Sequence, residues 1–236
     1  MSLEQIESAM NFALYSLKEH HVSNIWDPHQ PIVNNDIFWN QNKKQDFMRR
    51  FIGTLGEIAF ADYYNLPRPA KSFGAVNGQD YGSDFHFFLR DRSFVTREII
   101  VDLKTMRRDS YHVKKEYVQN LSEYTISRID SLTGLYFSNT LIISKYIENT
   151  FHLFDEQISF NFNSPSLLML FSGYINKADI LKNAILFPAN TIRTRGNIQT
   201  SNSTFSFTHA TYEIMFKHLS RPWLVPNKKV KIVNLK

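Results

Sequence analysis

Apolar residues recur at helical spacing over residues 2–20, where Ile6, Met10, Ala13, Leu14 and Leu17 share one face. Ser2 is placed to cap that helix. Residues 22–40 carry Trp26, Pro28, Pro31, Trp39 and several asparagines, a pattern that predicts an irregular connection. A second helix is expected over 46–64, with Phe47, Phe51, Leu55 and Ile58 as its core stripe and a stop before Pro67. Gly53 and Gly56 beside Glu57 predict close approach to another backbone, because glycine in a helix interior otherwise costs about 1 kcal/mol. Residues 67–83 are rich in Pro, Gly, Asn and Ser and read as a loop. Short strands are expected over 84–90 and 94–104, and again near 139–146, 150–155 and 167–175. Residues 110–130 read as helical or mixed. Asn176-Lys177-Ala178-Asp179 looks like a capped helix start, 188–204 reads as a loop, and Thr208 or Thr211 is placed to open a last helix through Leu219. This order predicts an α/β fold with a central mixed β-sheet flanked by helices.

Composition narrows the class. A hydrophobic share of 43% and a charged share of 21% are ordinary for a globular protein, and 20 Phe with 11 Tyr argue against disorder. No apolar run approaches the roughly 20 residues that span a bilayer, so no membrane partner is expected. The first residues lack the basic-then-apolar order of a signal peptide, and the expected location is cytoplasmic. With no cysteine, disulfides, thiolate metal sites and cysteine nucleophiles are excluded. The net charge of +5 favours a polyanionic partner. Its distribution says more: Arg107, Arg108, Lys114 and Lys115 follow one strand closely, Arg193 and Arg195 cluster later, and Lys228, Lys229 and Lys231 crowd the C-terminus.

The strand containing Ile99-Ile100-Val101-Asp102-Leu103-Lys104 places an aspartate and a lysine on one face, while Ile99, Val101 and Leu103 take the other. Two charges on so apolar a strand need partners. Asp84 opens the preceding strand and Glu57 sits on the preceding helix. Three carboxylates and a lysine on adjoining elements match the needs of phosphodiester hydrolysis: an activated water, neutralised phosphate charge and help for the leaving alkoxide. Magnesium, or manganese, supplies much of this when two carboxylates hold it. Asp84 and Asp102 are the candidate ligands, with the Leu103 carbonyl as a third and Glu57 acting through water or on a second metal. Lys104 would orient or deprotonate the attacking water, or stabilise the developing negative charge. A structural salt-bridge network of Asp84, Asp102 and Lys104 is the plainer alternative. His86 shares a face with Asp84, and packing is its expected role.

This layout resembles the PD-(D/E)xK nuclease superfamily, whose fold is restriction-endonuclease-like. Glu57 matches the helix glutamate, Asp84 the first strand aspartate, and Asp102-Leu103-Lys104 the (D/E)xK element, across residues 46–105. Ser83 stands where the motif carries proline. The segment Ser172–Asp179 is similar to a strand-to-helix element late in some small members. The resemblance implies a core over 46–220 with inserted DNA-contact elements, preceded by an N-terminal helix and connection over 1–45 and followed by a basic tail over 221–236. It also implies magnesium dependence and DNA as substrate. The expected activity is endonucleolytic cleavage of double-stranded DNA, with Arg107, Arg108, Lys114, Lys115, Arg193 and Arg195 holding phosphates. A two-fold homodimer would suit the quasi-symmetric duplex. The rival readings are a non-catalytic DNA-binding module that retains the fold, and a nuclease for RNA or branched DNA.

Overall fold

Helix α1 (Leu3–Leu17) is opened by a reciprocal cap: the Gln5 amide donates to Ser2 Oγ at 3.2 Å, and the Ser2 amide donates to Gln5 Oε1 at 2.9 Å. The computed structural model describes residues 1–17, 41–68, 84–90, 96–108, 118–142, 151–153, 158–160, 167–194, 204–221 and 231–233. The expected connection over 22–40 and most of the expected loop over 67–83 lie outside them.

Helix α2 (Gln41–Tyr64) begins earlier than its apolar stripe suggests, since Gln41, Lys43 and Lys44 are good helix formers. Phe47, Phe51, Leu55 and Ile58 are all buried and pack with Ile6, Ala9, Met10, Ala13 and Leu14 of α1. Past its end, Asn65 takes a left-handed conformation with φ 54°. The Leu66 amide returns to the Ala61 carbonyl at 2.8 Å, an ordinary helix stop. Arg68 then ties the two helices together, bonding Glu4 of α1 and Asp62 of α2.

The central sheet contains β1 (Phe85–Arg90), β2 (Thr96–Arg108), β4 (Gly134–Ile142), β7 (Leu168–Asn176) and β12 (Lys231–Val233). These run in the order β12-β1-β2-β4-β7. Only β2 and β4 are parallel, so the sheet is mixed and the expected α/β class holds. Strand β2 runs on to Arg108, further than its apolar run, because β4 pairs with it from Ile100 to Arg108. Strand β3 (Val118–Ser122) and helix α3 (Glu123–Arg128) occupy the crossover between them.

Helix α2 covers one face, where Phe60, Ala61 and Tyr64 pack on Phe85, Phe87, Val101, Leu103 and Phe137. On the other face Tyr136 and Ile175 pack with Leu121, Ile126, Ile129, Ile180 and Ile214. Ile180 belongs to α4 (Lys177–Asn183), whose expected cap is present: Asn176 accepts from the Asp179 amide at 2.8 Å. Ile214 belongs to β11 (Thr211–Met215), central in a second sheet between β3 and β8 (Ile185–Phe187). Two expectations therefore fail here. The last helix is a strand followed by the short 3-10 turn Phe216–His218, because Thr211, Glu213 and Ile214 are buried between two neighbouring strands. The stretch 188–204 is not wholly loop, since β9 (Ile192–Thr194) pairs with β10 (Thr204–Ser206). Strands β5 (Phe151–Leu153) and β6 (Ile158–Phe160) form a further hairpin.

Candidate functional site

The register of β1 on β2 sets the site. Phe85 stands opposite Val101, and both are buried against α2. Alternation then carries Asp84 and Asp102 together to the opposite face. Asp84 lies just before β1, where β2 runs on without that neighbour. Its amide donates to the Val101 carbonyl at 2.9 Å, and its carboxylate Oδ2 accepts the Leu103 amide at 2.5 Å. A carboxylate thus takes the hydrogen bond that the next residue of a longer β1 would supply. A strand residue directs its N–H and C=O to the same side, so the Leu103 carbonyl faces the Asp84 edge as well.

Lys104 Nζ lies 3.0 Å from Asp102 Oδ1. Asp102 is 16% exposed and Lys104 45%, so the pair opens to solvent at the lysine end. The contact lacks hydrogen-bond alignment, and Asp102 Oδ1 is buried without a hydrogen-bond partner.

Glu57 acts on the cluster from α2 through its charge. The helix passes β2 at Gly56, where a Cβ would stand 1.8 Å from Thr105 Oγ1 and 2.8 Å from Thr105 Cβ. The close approach read from the sequence is therefore made by Gly56, against a side chain. Gly53 faces open space and takes no part. Asn139 Nδ2 of β4 donates to the Gly56 carbonyl at 3.5 Å and joins the helix to the sheet there.

The electrostatics show that the four side chains share one field. Burial, then the charges of Glu57 and Asp102, push the Asp84 carboxyl up to about 7, against the opposing pull of the Leu103 amide and Lys104. Burial lowers Lys104, but Asp102, Asp84 and Glu57 together outweigh it and hold the ammonium above the usual lysine range. Lys104 therefore keeps its proton at neutral pH in this arrangement. Among the described residues, no group of three or more His, Asp or Glu side chains is disposed to hold a metal ion. A two-carboxylate set remains, and it has the chemistry for one: a hydrated magnesium ion is commonly bound through one or two carboxylates. The Asp102 oxygen that accepts no aligned hydrogen bond and the anionic crowding at Asp84, only partly offset by Lys104, both fit a divalent cation.

The remaining candidates divide. Arg107 and Arg108 end β2, beyond Lys104. Arg193 is engaged within the fold: its guanidinium bonds Glu213 Oε2 at 2.9 Å and lies 4.5 Å from the Phe187 ring centre. That carboxylate competes with any phosphate for it. His86 pairs with Glu98 at 2.7 Å, away from the aspartates. Lys114, Lys115 and Arg195 lie outside the described residues.

Three neighbours of the cluster carry no signal in the sequence reading. In the parallel ladder Tyr136 stands beside Asp102 and Ser138 beside Lys104. The Ser138 hydroxyl donates to Gln119 Oε1 at 3.3 Å, bringing β3 to the same face. The one available clue was the polar run Ser138-Asn139-Thr140 in an apolar strand, all three fully buried.

No helix among the described residues is long and apolar enough to cross a membrane. No protein-family model, curated protein or solved structure matches this chain.

Proposed function

We propose that this protein is a magnesium- or manganese-dependent endonuclease of the PD-(D/E)xK type that hydrolyses double-stranded DNA. The observation that carries the reading is the Asp84 carboxylate on the Leu103 amide, which locks the first aspartate beside the Asp102-Leu103-Lys104 element. A carboxyl raised to about 7 by burial and then by the charges of Glu57 and Asp102 is the kind of perturbed group that clusters at functional sites.

Asp84 and Asp102 would hold the cation, with the Leu103 carbonyl on the same side and Glu57 acting through water. When bound, the cation lowers the pKa of a coordinated water and offsets charge on the phosphate. In hydrolysis the water oxygen bonds to phosphorus, the bond to the departing sugar oxygen breaks, and that oxygen leaves with a proton. Lys104, protonated and exposed at its tip, is suited to stabilise charge on the phosphate oxygens and to hold the water. Its raised pKa disfavours the role of general base. Arg107 and Arg108 beyond it would contact the backbone, and cutting both strands would favour a two-fold homodimer.

The test is incubation of the full chain with duplex DNA and magnesium, with and without chelator, followed by sequencing of the ends. Cleavage abolished by chelator and by Asp102→Asn is expected. The want of a three-ligand group among the described residues favours a second reading, a non-catalytic DNA-binding module. Such a module would bind the same DNA and leave it intact at any magnesium concentration.

A further inference from the structure

Tyr136 is fully buried, and its phenolic oxygen has no hydrogen-bond partner. A buried hydroxyl left unpaired costs about 1–3 kcal/mol, and phenylalanine would fill the same space without that cost. The ring packs among Leu121, Ile126, Ile129, Ile175, Ile180 and Ile214, none of which offers a side-chain acceptor. The parallel register sets Tyr136 beside Asp102. Asp102 Oδ1 meets the Lys104 ammonium at 3.0 Å but accepts no aligned hydrogen bond. Burial, then the charges of Asp102 and Asp84, hold the phenol well above the usual tyrosine range, so it remains a donor. Donor and acceptor thus stand on neighbouring strands, the phenol unpaired and the carboxylate short of an aligned donor, in a site whose carboxylates repel one another.

We propose that Tyr136 is a positioning residue, whose buried hydroxyl is held in reserve as a donor for the Asp102 carboxylate and fixes that carboxylate when a divalent cation binds. The inference rests on the metal-site reading above. A hydrogen bond to a ligating carboxylate orients it and limits its rotation, and loss of such a partner typically weakens metal affinity 10–100-fold. Tyr136 touches neither substrate nor reacting atoms. It acts through Asp102.

The experiment is magnesium titration of the full chain by calorimetry without DNA, comparing wild type with Tyr136→Phe, together with thermal melting of both in chelator. The expected result is a magnesium Kd raised about 10-fold in Tyr136→Phe. Its melting temperature in chelator should match or exceed wild type, since an unpaired buried hydroxyl has been removed. In cleavage assays the magnesium needed for half-maximal rate should rise, while the rate at saturating magnesium returns toward wild type. An unchanged Kd in a folded variant overturns the role of Tyr136 and leaves the nuclease reading standing. A lower melting temperature in chelator, or failure to fold, also overturns it, because the hydroxyl then serves the metal-free fold. A wild-type chain that takes up no magnesium and cuts no DNA ends both.

Discussion

The Asp84 carboxylate accepts the backbone amide of Leu103 at 2.5 Å, so the position of one acidic side chain is fixed by the strand that carries the other. Asp84 and Asp102 are held on one face by this bond and by the β1–β2 register.

That relation has a cost at neutral pH. The Asp84 carboxyl stands near 7 in the folded chain and at its ordinary 3.8 when unfolded. Its contribution to stability is therefore full below pH 4 and is lost as pH rises through 7. Without metal, the chain is expected to be less stable at pH 8 than at pH 5. Asp84→Asn should flatten that slope and raise stability at pH 8 by on the order of 2 kcal/mol, because the asparagine oxygen still accepts the Leu103 amide. Denaturant unfolding at both pH values checks this. A wild-type profile flat between them would contradict it.

Gly56 controls how closely α2 lies on β2. Gly56→Ala would drive its Cβ into Thr105 and force the helix outward. A loss of about 1–3 kcal/mol in stability is expected, as for other overpacked contacts. The Glu57 carboxylate would move with the helix, so activity should fall further than stability alone explains. Adding Thr105→Ala should restore part of both, since it removes Oγ1 and Cγ2 but leaves the Thr105 Cβ contact at 2.8 Å.

Lys104 is expected to act as a cation across the working pH range. Lys104→Gln should abolish cleavage while DNA binding persists within a few-fold, as a filter-binding assay would read. A pH–rate profile of the wild type should show no lysine-type ionisation near neutrality. A rate limb that disappears in a Lys104→Arg variant would instead assign the lysine a proton-transfer role.

Arg193 separates structural charge from DNA-binding charge. Glu213 is 8% exposed and depends on Arg193 for its counter-charge. Arg193→Met should lower stability by about 1–2 kcal/mol, less than a fully buried pair because the arginine is partly in water. DNA affinity should change little. Arg107→Ala should do the reverse, weakening DNA binding and reducing its salt dependence.

Part of the cluster was legible from two short-range rules, while the place of Asp84 depends on the β1–β2 register. Alternation put Asp102 and Lys104 on one face, and the helix before Pro67 put Glu57 upstream. Helix α1, the core stripe of α2 and the Asn176 cap were legible for the same reason, since each is written within a few neighbouring residues. Tyr136 was not, because its place beside Asp102 exists only in the parallel pairing of β2 with β4, across a crossover. The strand at Thr211–Met215 was misread because Tyr212, Phe216 and Leu219 also suit a helical face. Its true state is set by β3 and β8 on either side. Arg193 reads in sequence as a phosphate contact because nothing local reveals Glu213, which arrives from another strand.

The most direct measurement is cleavage of duplex DNA by wild type and Asp102→Asn under magnesium, with chelator as control and DNA binding recorded in parallel. The account expects wild type to cut only with the metal present, and the variant to bind without cutting. Binding by both proteins, with intact DNA at every magnesium or manganese concentration, would contradict it.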